Sequence, residues 1–110
     1  MAKPQRATDA MRHFTPKLVE LTEGVLFGDV WERPELSKRD RSLIVISALI
    51  ALGKERQMVG HLNRALDNGL SVDEIKEAIT HLAFYSGWPT AMTAATIFKE
   101  VLEKREADAD

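Results

Sequence analysis

At 110 residues, with 45% hydrophobic and 29% charged side chains, the chain has the length and apolar content of one domain with a modest core. Fifteen basic against seventeen acidic residues leave a formal charge of -2 with no long single-sign block, which argues against a phosphate-tracking stripe and so against nucleic acid as a partner. The absence of cysteine removes thiol nucleophiles, disulfides, thiolate metal sites and CxxC redox chemistry together, and fits a reducing compartment.

The N-terminal stretch MAKPQRATDAMRHF is mixed and polar and has no apolar signal core; it reads as an arm, residues 1–14, ahead of a helical domain at 15–106 and a fraying acidic tail at 107–110. Thr15 and Pro16 read as the N-cap and first-turn pair of a first helix, with Leu18, Val19, Leu21, Val25 and Leu26 on its apolar side and an end near Gly28. In WERPELS, Pro34 biases Arg33 away from helix, and Ser37 is a second N-cap with Asp40 well placed in the following turn. The second helix, KRDRSLIVISALIAL, is apolar on nearly every side after its first turn, until Gly53 stops it. Such a helix is hard for a small domain to surround alone, so part of it is expected against another subunit, in a homo-oligomer. Its apolar run, Leu43 to Leu52, is broken by Ser47 and too short for a bilayer, so a soluble, cytoplasmic protein with no membrane partner is expected.

A third helix, about Lys54 to Asn68, turns Met58, Leu62, Ala65 and Leu66 inward and ends at Gly69. Ser71 and Glu74 form a capping-box signature for a fourth, whose apolar face is Ile75, Ala78, Ile79, Leu82 and Ala83. GWP breaks it, and Pro89 opens a last helix through Ala91, Ala94, Ala95, Ile97, Phe98, Val101 and Leu102. No segment alternates at period two over a strand-like length and no repeat is visible, so the fold class is all-α.

Several residues on these helices are candidates for chemistry. On the third, the wheel puts His61 on the shoulder of the apolar face and Glu55 near its middle, where a carboxylate is either a first-turn residue favoured by the helix dipole or a group facing a shared cavity. Gly60 weakens that helix by about 1 kcal/mol relative to alanine, for which close approach of a backbone or ligand is a compensation. On the fourth helix, Glu77, His81 and Tyr85 fall at four-residue steps; exposed they form a solvated strip, buried they would set an imidazolium and a phenol to receive a developing oxyanion. Arg39 and Arg41 flank Asp40; either is suited to fork a substrate carboxylate, while an ion pair with Asp40 or Glu35 is the commoner use. Trp31 and Trp88 sit at element ends and either line a pocket or cap the core. His13, His61 and His81 have no metal-ligand spacing, and there is neither a phosphate loop nor a nucleophile elbow.

The run LFGDVWERPELSKRDRSLIVISALIALGKERQMVGHLNRALDNGLSVDEIKEAITHLAFYSGWPTAMTA resembles the carboxymuconolactone decarboxylase family through the ordered set RDR, the third-helix histidine, the NG stop, EI and Y-x-G-x-P; the likeness covers about residues 16 to 102. The resemblance implies an all-helical subunit of the alkylhydroperoxidase D-like fold in a ring-like homo-oligomer, a trimer or hexamer, with sites near subunit boundaries. Peroxide-reducing members of that superfamily carry a CxxC followed four residues later by histidine. The matching histidine here is His61, but Lys54 and Gln57 stand at the cysteine positions and Ser42 at the upstream glutamate, which disfavours a thiol-based peroxidase.

For the decarboxylase branch the resemblance implies conversion of 4-carboxymuconolactone, or a related lactone or keto acid, to 3-oxoadipate enol-lactone and CO2 in aromatic-acid catabolism. The substrate's lactone carbonyl accepts the released electrons, so no cofactor and no metal is required. His61 would then be general acid or oxyanion donor, Glu55 its orienting group, Arg39 or Arg41 the carboxylate binder, and His81 and Tyr85 secondary candidates. A non-catalytic oligomer that binds a small molecule is the alternative from another class.

Overall fold

The serine hydroxyl of Ser37 accepts a hydrogen bond from the Asp40 backbone N–H at 3.0 Å, the N-cap expected from the sequence, and from it α3 runs over Lys38–Ala51. In the computed structural model, which describes residues 7–109, this cap also marks a division: one compact unit ends at Leu36 and another begins at Ser37.

The first unit holds α1, Ala7–Met11, and α2, Pro16–Leu21, which continues without interruption as a π-helical stretch, Thr22–Phe27, followed by a 3-10 turn at Val30–Glu32. Thr15 does not cap α2 with its side chain; its hydroxyl donates instead to the Met11 carbonyl at 3.4 Å, while Pro16 opens the helix as expected. The wider π register rotates the residues after Thr22 off the predicted stripe. Of that stripe only Val19 is buried, and Leu18, Leu21, Val25 and Leu26 are exposed. The helix does end at Gly28, and a residue with a side chain would not fit there: a Cβ at Gly28 would lie 2.7 Å from the carbonyl oxygens of Glu23 and Gly24. Trp31 is buried and its ring stacks on Phe27, centroids 6.0 Å apart. The proposed arm at 1–14 contains α1; its first six residues lie outside the described ones.

The second unit is a four-helix bundle of α3, α4 at Glu55–Asp67, α5 at Val72–Ser86 and α6 at Trp88–Ala109. Helix α3 packs on α4 and α5, α6 packs on the same two, and α4 and α5 occupy opposite corners. Gly53 (φ +68°) and Gly69 (φ +107°) take the left-handed backbone that ends α3 and α4, as their positions in the sequence predict. At α5 both halves of the capping box are present: the Glu74 N–H donates to Ser71 Oγ and the Ser71 N–H to Glu74 Oε1. GWP breaks the chain at Gly87, and α6 then continues to Ala109, through most of the tail expected to fray.

The core is one cluster drawn from all four helices, with Ile46, Ile50, Met58, Leu62 and Ile75 the largest fully buried side chains. Each of the expected inward residues of α4 and α5 is buried or partly buried. Helix α3 buries one line, Ser42, Ile46 and Ile50, and leaves Ile44 exposed, as is Leu52 just past its end. Among the described residues there is no strand, and no helix is long and apolar enough to cross a membrane.

Leu62 has no exposed surface. Leu62→Ala should therefore destabilise the chain by about 2–5 kcal/mol in urea unfolding, whereas the solvent-facing change Val59→Ala should stay below about 1 kcal/mol; equal effects would show that the α4 face is not the core.

Candidate active site

Two histidines lie beside two different seams of the bundle. The register of the α3–α4 seam is set at its far end by Asn68, whose amide donates to the hydroxyl of Ser42 at 2.9 Å; Ser42 is 2% exposed, so this bond satisfies a polar group inside the fold. Asn68 and His61 are seven residues apart, two helical turns, so His61 occupies the same α3-facing flank of α4. The other flank is turned to α6, where Asn63 Oδ1 and Asp67 Oδ1 accept from the Arg105 guanidinium at 2.9 and 3.0 Å.

His61 is partly buried, and burial pushes its imidazole below its ordinary value; the positive charge of Arg64, one turn further on, adds to the shift. Near neutral pH the ring is therefore uncharged, able to donate from one nitrogen and accept at the other. Nη1 of Arg64 and Nε of Arg41 are both shielded from solvent. Arg64 lies one turn from His61 on α4, while Arg41 lies next to Ser42, at the end of the seam marked by Asn68. Arg64 was not singled out from the sequence, although its i+3 relation to His61 was the signal that would have found it.

The second seam, between α3 and α5, opens into a shallow groove of about 410 Å³ whose apolar floor includes Leu43, Leu70 and Leu82, with Glu77 and His81 on its rim. Here the Arg39 guanidinium is already occupied, paired with Asp40 at 3.0 Å and with the Glu74 carboxylate. The Ser71 backbone N–H, helped by Ser71's hydroxyl and by Arg39, holds Glu74 below the usual carboxylate range. His81 and Tyr85 are exposed, and their rings meet at a centroid distance of 5.0 Å, tilted by 43°.

The six sequence candidates thus separate. Arg39 and Arg41, two residues apart, project to different sides of α3, so they do not act as alternatives at one place. Arg39 is the ion-pairing residue. Glu55 is exposed in the first turn of α4 rather than inside the apolar face: helix ends reach past the packed core, and the dipole favours a carboxylate there. It makes no hydrogen bond to His61 within the chain. The Glu77, His81 and Tyr85 strip is the solvent-facing ladder, and Trp88 is exposed where Trp31 is buried. A Cβ at Gly60 would meet nothing within 4 Å, so no contact inside the chain requires this glycine. Among the described residues no group of three His, Asp or Glu is placed to hold a metal ion. The α5 groove presents the Glu74 and Glu77 carboxylates, which disfavour an anionic ligand there.

Residues 16–100 match the carboxymuconolactone decarboxylase family. The chain is 34% identical over 98 residues to the 4-carboxymuconolactone decarboxylase of Acinetobacter baylyi, an alignment covering 89% of this chain and 73% of the relative. It is 31% identical over 97 residues to a nitrosuccinic acid decarboxylase of Metarhizium robertsii, covering 86% and 68%.

Because burial depresses His61 below 6.5, the unfolded chain binds a proton there that the folded chain refuses, and stability falls as the pH drops through that value. Between about pH 7 and about pH 5, His61→Gln should lose less stability than the parent in urea titrations; parallel profiles would mean that the imidazole titrates as it does in water. Gly60→Ala should raise stability by about 1 kcal/mol through helix propensity, and a simultaneous loss of activity would place a ligand or a second chain in the open space beside His61.

Proposed function

The chain belongs to the carboxymuconolactone decarboxylase family and is a decarboxylase-like carboxy-lyase; from that premise we propose that it removes CO2 from 4-carboxymuconolactone, or a closely related lactone or keto acid, and that His61 is its proton-handling residue. The observation that carries the reading is the partly buried, uncharged imidazole of His61, with the Arg64 charge one turn along the same helix.

Decarboxylation breaks a C–C bond and leaves its electron pair behind, so the barrier is set by where that pair goes. In the carboxylactone it passes through the ring double bond into the lactone carbonyl, giving a dienolate, and a proton then returns to carbon to give the enol-lactone. The sink belongs to the substrate, and the protein has three tasks: hold the carboxylates, stabilise the dienolate oxygen, and deliver the proton. Arg41 suits the first, because a guanidinium forks a carboxylate. The neutral His61 suits the second, since its N–H can donate to the developing oxyanion without giving up the proton early. The same ring can then pass a proton to carbon. The second relative supports this division of labour: nitrosuccinic acid, as named, is a nitro-substituted diacid, and a nitro group is likewise a sink that ends on oxygen. A thiol-based peroxide cycle has no nucleophile in this chain, which has no cysteine. His81, on the acid-rimmed seam, and Tyr85 beside it have no step in this scheme.

The test follows substrate absorbance with the purified chain. His61→Ala should lower kcat by about 10²–10⁴-fold, Arg41→Gln should act chiefly on KM, and His81→Ala should change neither by more than a few-fold. An inactive parent on 4-carboxymuconolactone and on related lactone and keto acids removes the reading; an active parent with unimpaired His61→Ala removes the histidine from it.

A further inference from the structure

Helix α4 carries a second stripe beside its core face. Gln57, His61, Arg64 and, at the cap just past the last turn, Asn68 follow one another at steps of four, three and four residues, so they form one line along a single flank, and all of them are polar. Burial deepens along this line: Gln57 is exposed, while His61, Arg64 and Asn68 are partly buried. Of the side chains one turn from His61, namely Gln57, Met58, Arg64 and Ala65, Arg64 is the charged one. Glu55 and Arg56 stand in the exposed first turn, more than a turn away. The helices that pack on α4 bring no rival charge to the same place. Helix α3 has no ionisable side chain from Ser42 to its end, with Arg41 beyond at the Asn68 end, and the α6 charges Glu100, Lys104, Arg105 and Asp108 border the Val59 and Asn63 flank, where Arg105 is bound to Asp67.

We propose that Arg64 is a positioning residue of this site: its permanent charge, one turn from His61, keeps the imidazole neutral when an anionic substrate arrives and so sets the lowest pH at which the enzyme turns over. This rests on the reading of His61 as the proton-handling residue. Arginine suits the task because its charge does not titrate in the range where a histidine's does. One guanidinium nitrogen of Arg64 is shielded from solvent, so water screens this charge less than that of a surface arginine. The substrate works in the opposite direction, since a carboxylate within about 4–6 Å favours the imidazolium. An imidazolium would pair with the carboxylate that leaves as CO2, and so stabilise the charge where it lies before reaction rather than where it develops in the transition state. Arg64 offsets that pull, in the same direction as the burial that already lowers the ring's proton affinity. The neutral ring thereby keeps its N–H for the dienolate oxygen.

Proton NMR titration of the full chain reads the ring directly, with His61→Gln identifying its resonance among the three histidines. Arg64→Gln should move the His61 midpoint up by roughly half a pH unit or more. Arg64→Lys, which keeps the charge, and Arg56→Gln, which removes an exposed charge elsewhere on α4, should each leave it within about 0.2 of the parent's. In turnover, the acid limb of kcat should climb with the midpoint in Arg64→Gln, a loss of about threefold on its acid side, while kcat at about pH 8 stays at the parent's. Should Arg64→Gln fail to fold, salt gives the same reading on the parent: between about 0.05 M and about 1 M, screening of Arg64 should raise the midpoint, whereas burial alone responds little. A midpoint indifferent both to loss of Arg64 and to salt overturns the proposal, as does an acid limb that stays in place while the midpoint moves. A parent inactive on every substrate removes the decarboxylation reading by itself; a midpoint that still climbs in Arg64→Gln then leaves the hold of Arg64 on the ring standing.

Discussion

The bundle rests on the antiparallel packing of α3 against α4. Ile46 and Ile50 from one helix and Met58 and Leu62 from the other are all but fully withdrawn from water, and burial of such side chains is the dominant favourable term in folding. Two features fix the register of this pair: the left-handed turn at Gly53 and the Asn68–Ser42 hydrogen bond at the opposite end. The bond matters beyond its own modest strength. A one-turn slide of α4 along α3 would leave the Ser42 hydroxyl and the Asn68 amide without each other in a place poor in water, and unsatisfied buried groups are costly. Everything functional on this seam inherits that register. His61 can be partly desolvated because the helix beneath it does not slide.

Most of the fold was legible in the chain because its signals are local. Ser37, the Ser71/Glu74 capping box, Gly53, Gly69 and the GWP break each act through the backbone of a few neighbouring residues, and each operates where the sequence places it. The first unit was harder to read for an equally physical reason. A π-helical stretch from Thr22 shifts the helical period, so the wheel does not carry past Leu21 to Val25 and Leu26, and Leu18 and Leu21 ahead of it are exposed as well. The end of α6 was misread too, since a polar, acidic composition does not by itself prevent a long helix from continuing.

The site was legible only in part. Periodicity located His61 on the shoulder of its helix, but depth along the helix axis is invisible to a wheel. That is why Glu55, on the apolar side by angle, stands in solvent by position. Nor could the arginines be sorted by proximity in sequence: Arg39 and Arg41 are near neighbours along the chain yet belong to different seams, and only the contact with Glu74, thirty-five residues away, separates them.

Glu74 itself joins two places at once. Its carboxylate closes the cap at the start of α5 and also grips Arg39 near the start of α3. One side chain is therefore a cross-tie between two parallel helix beginnings, so whatever neutralises it unlatches both ends together. Fraying at one helix start is transmitted to the other. Acid should thus loosen this end of the bundle as a single cooperative piece, before it disturbs the hydrocarbon interior.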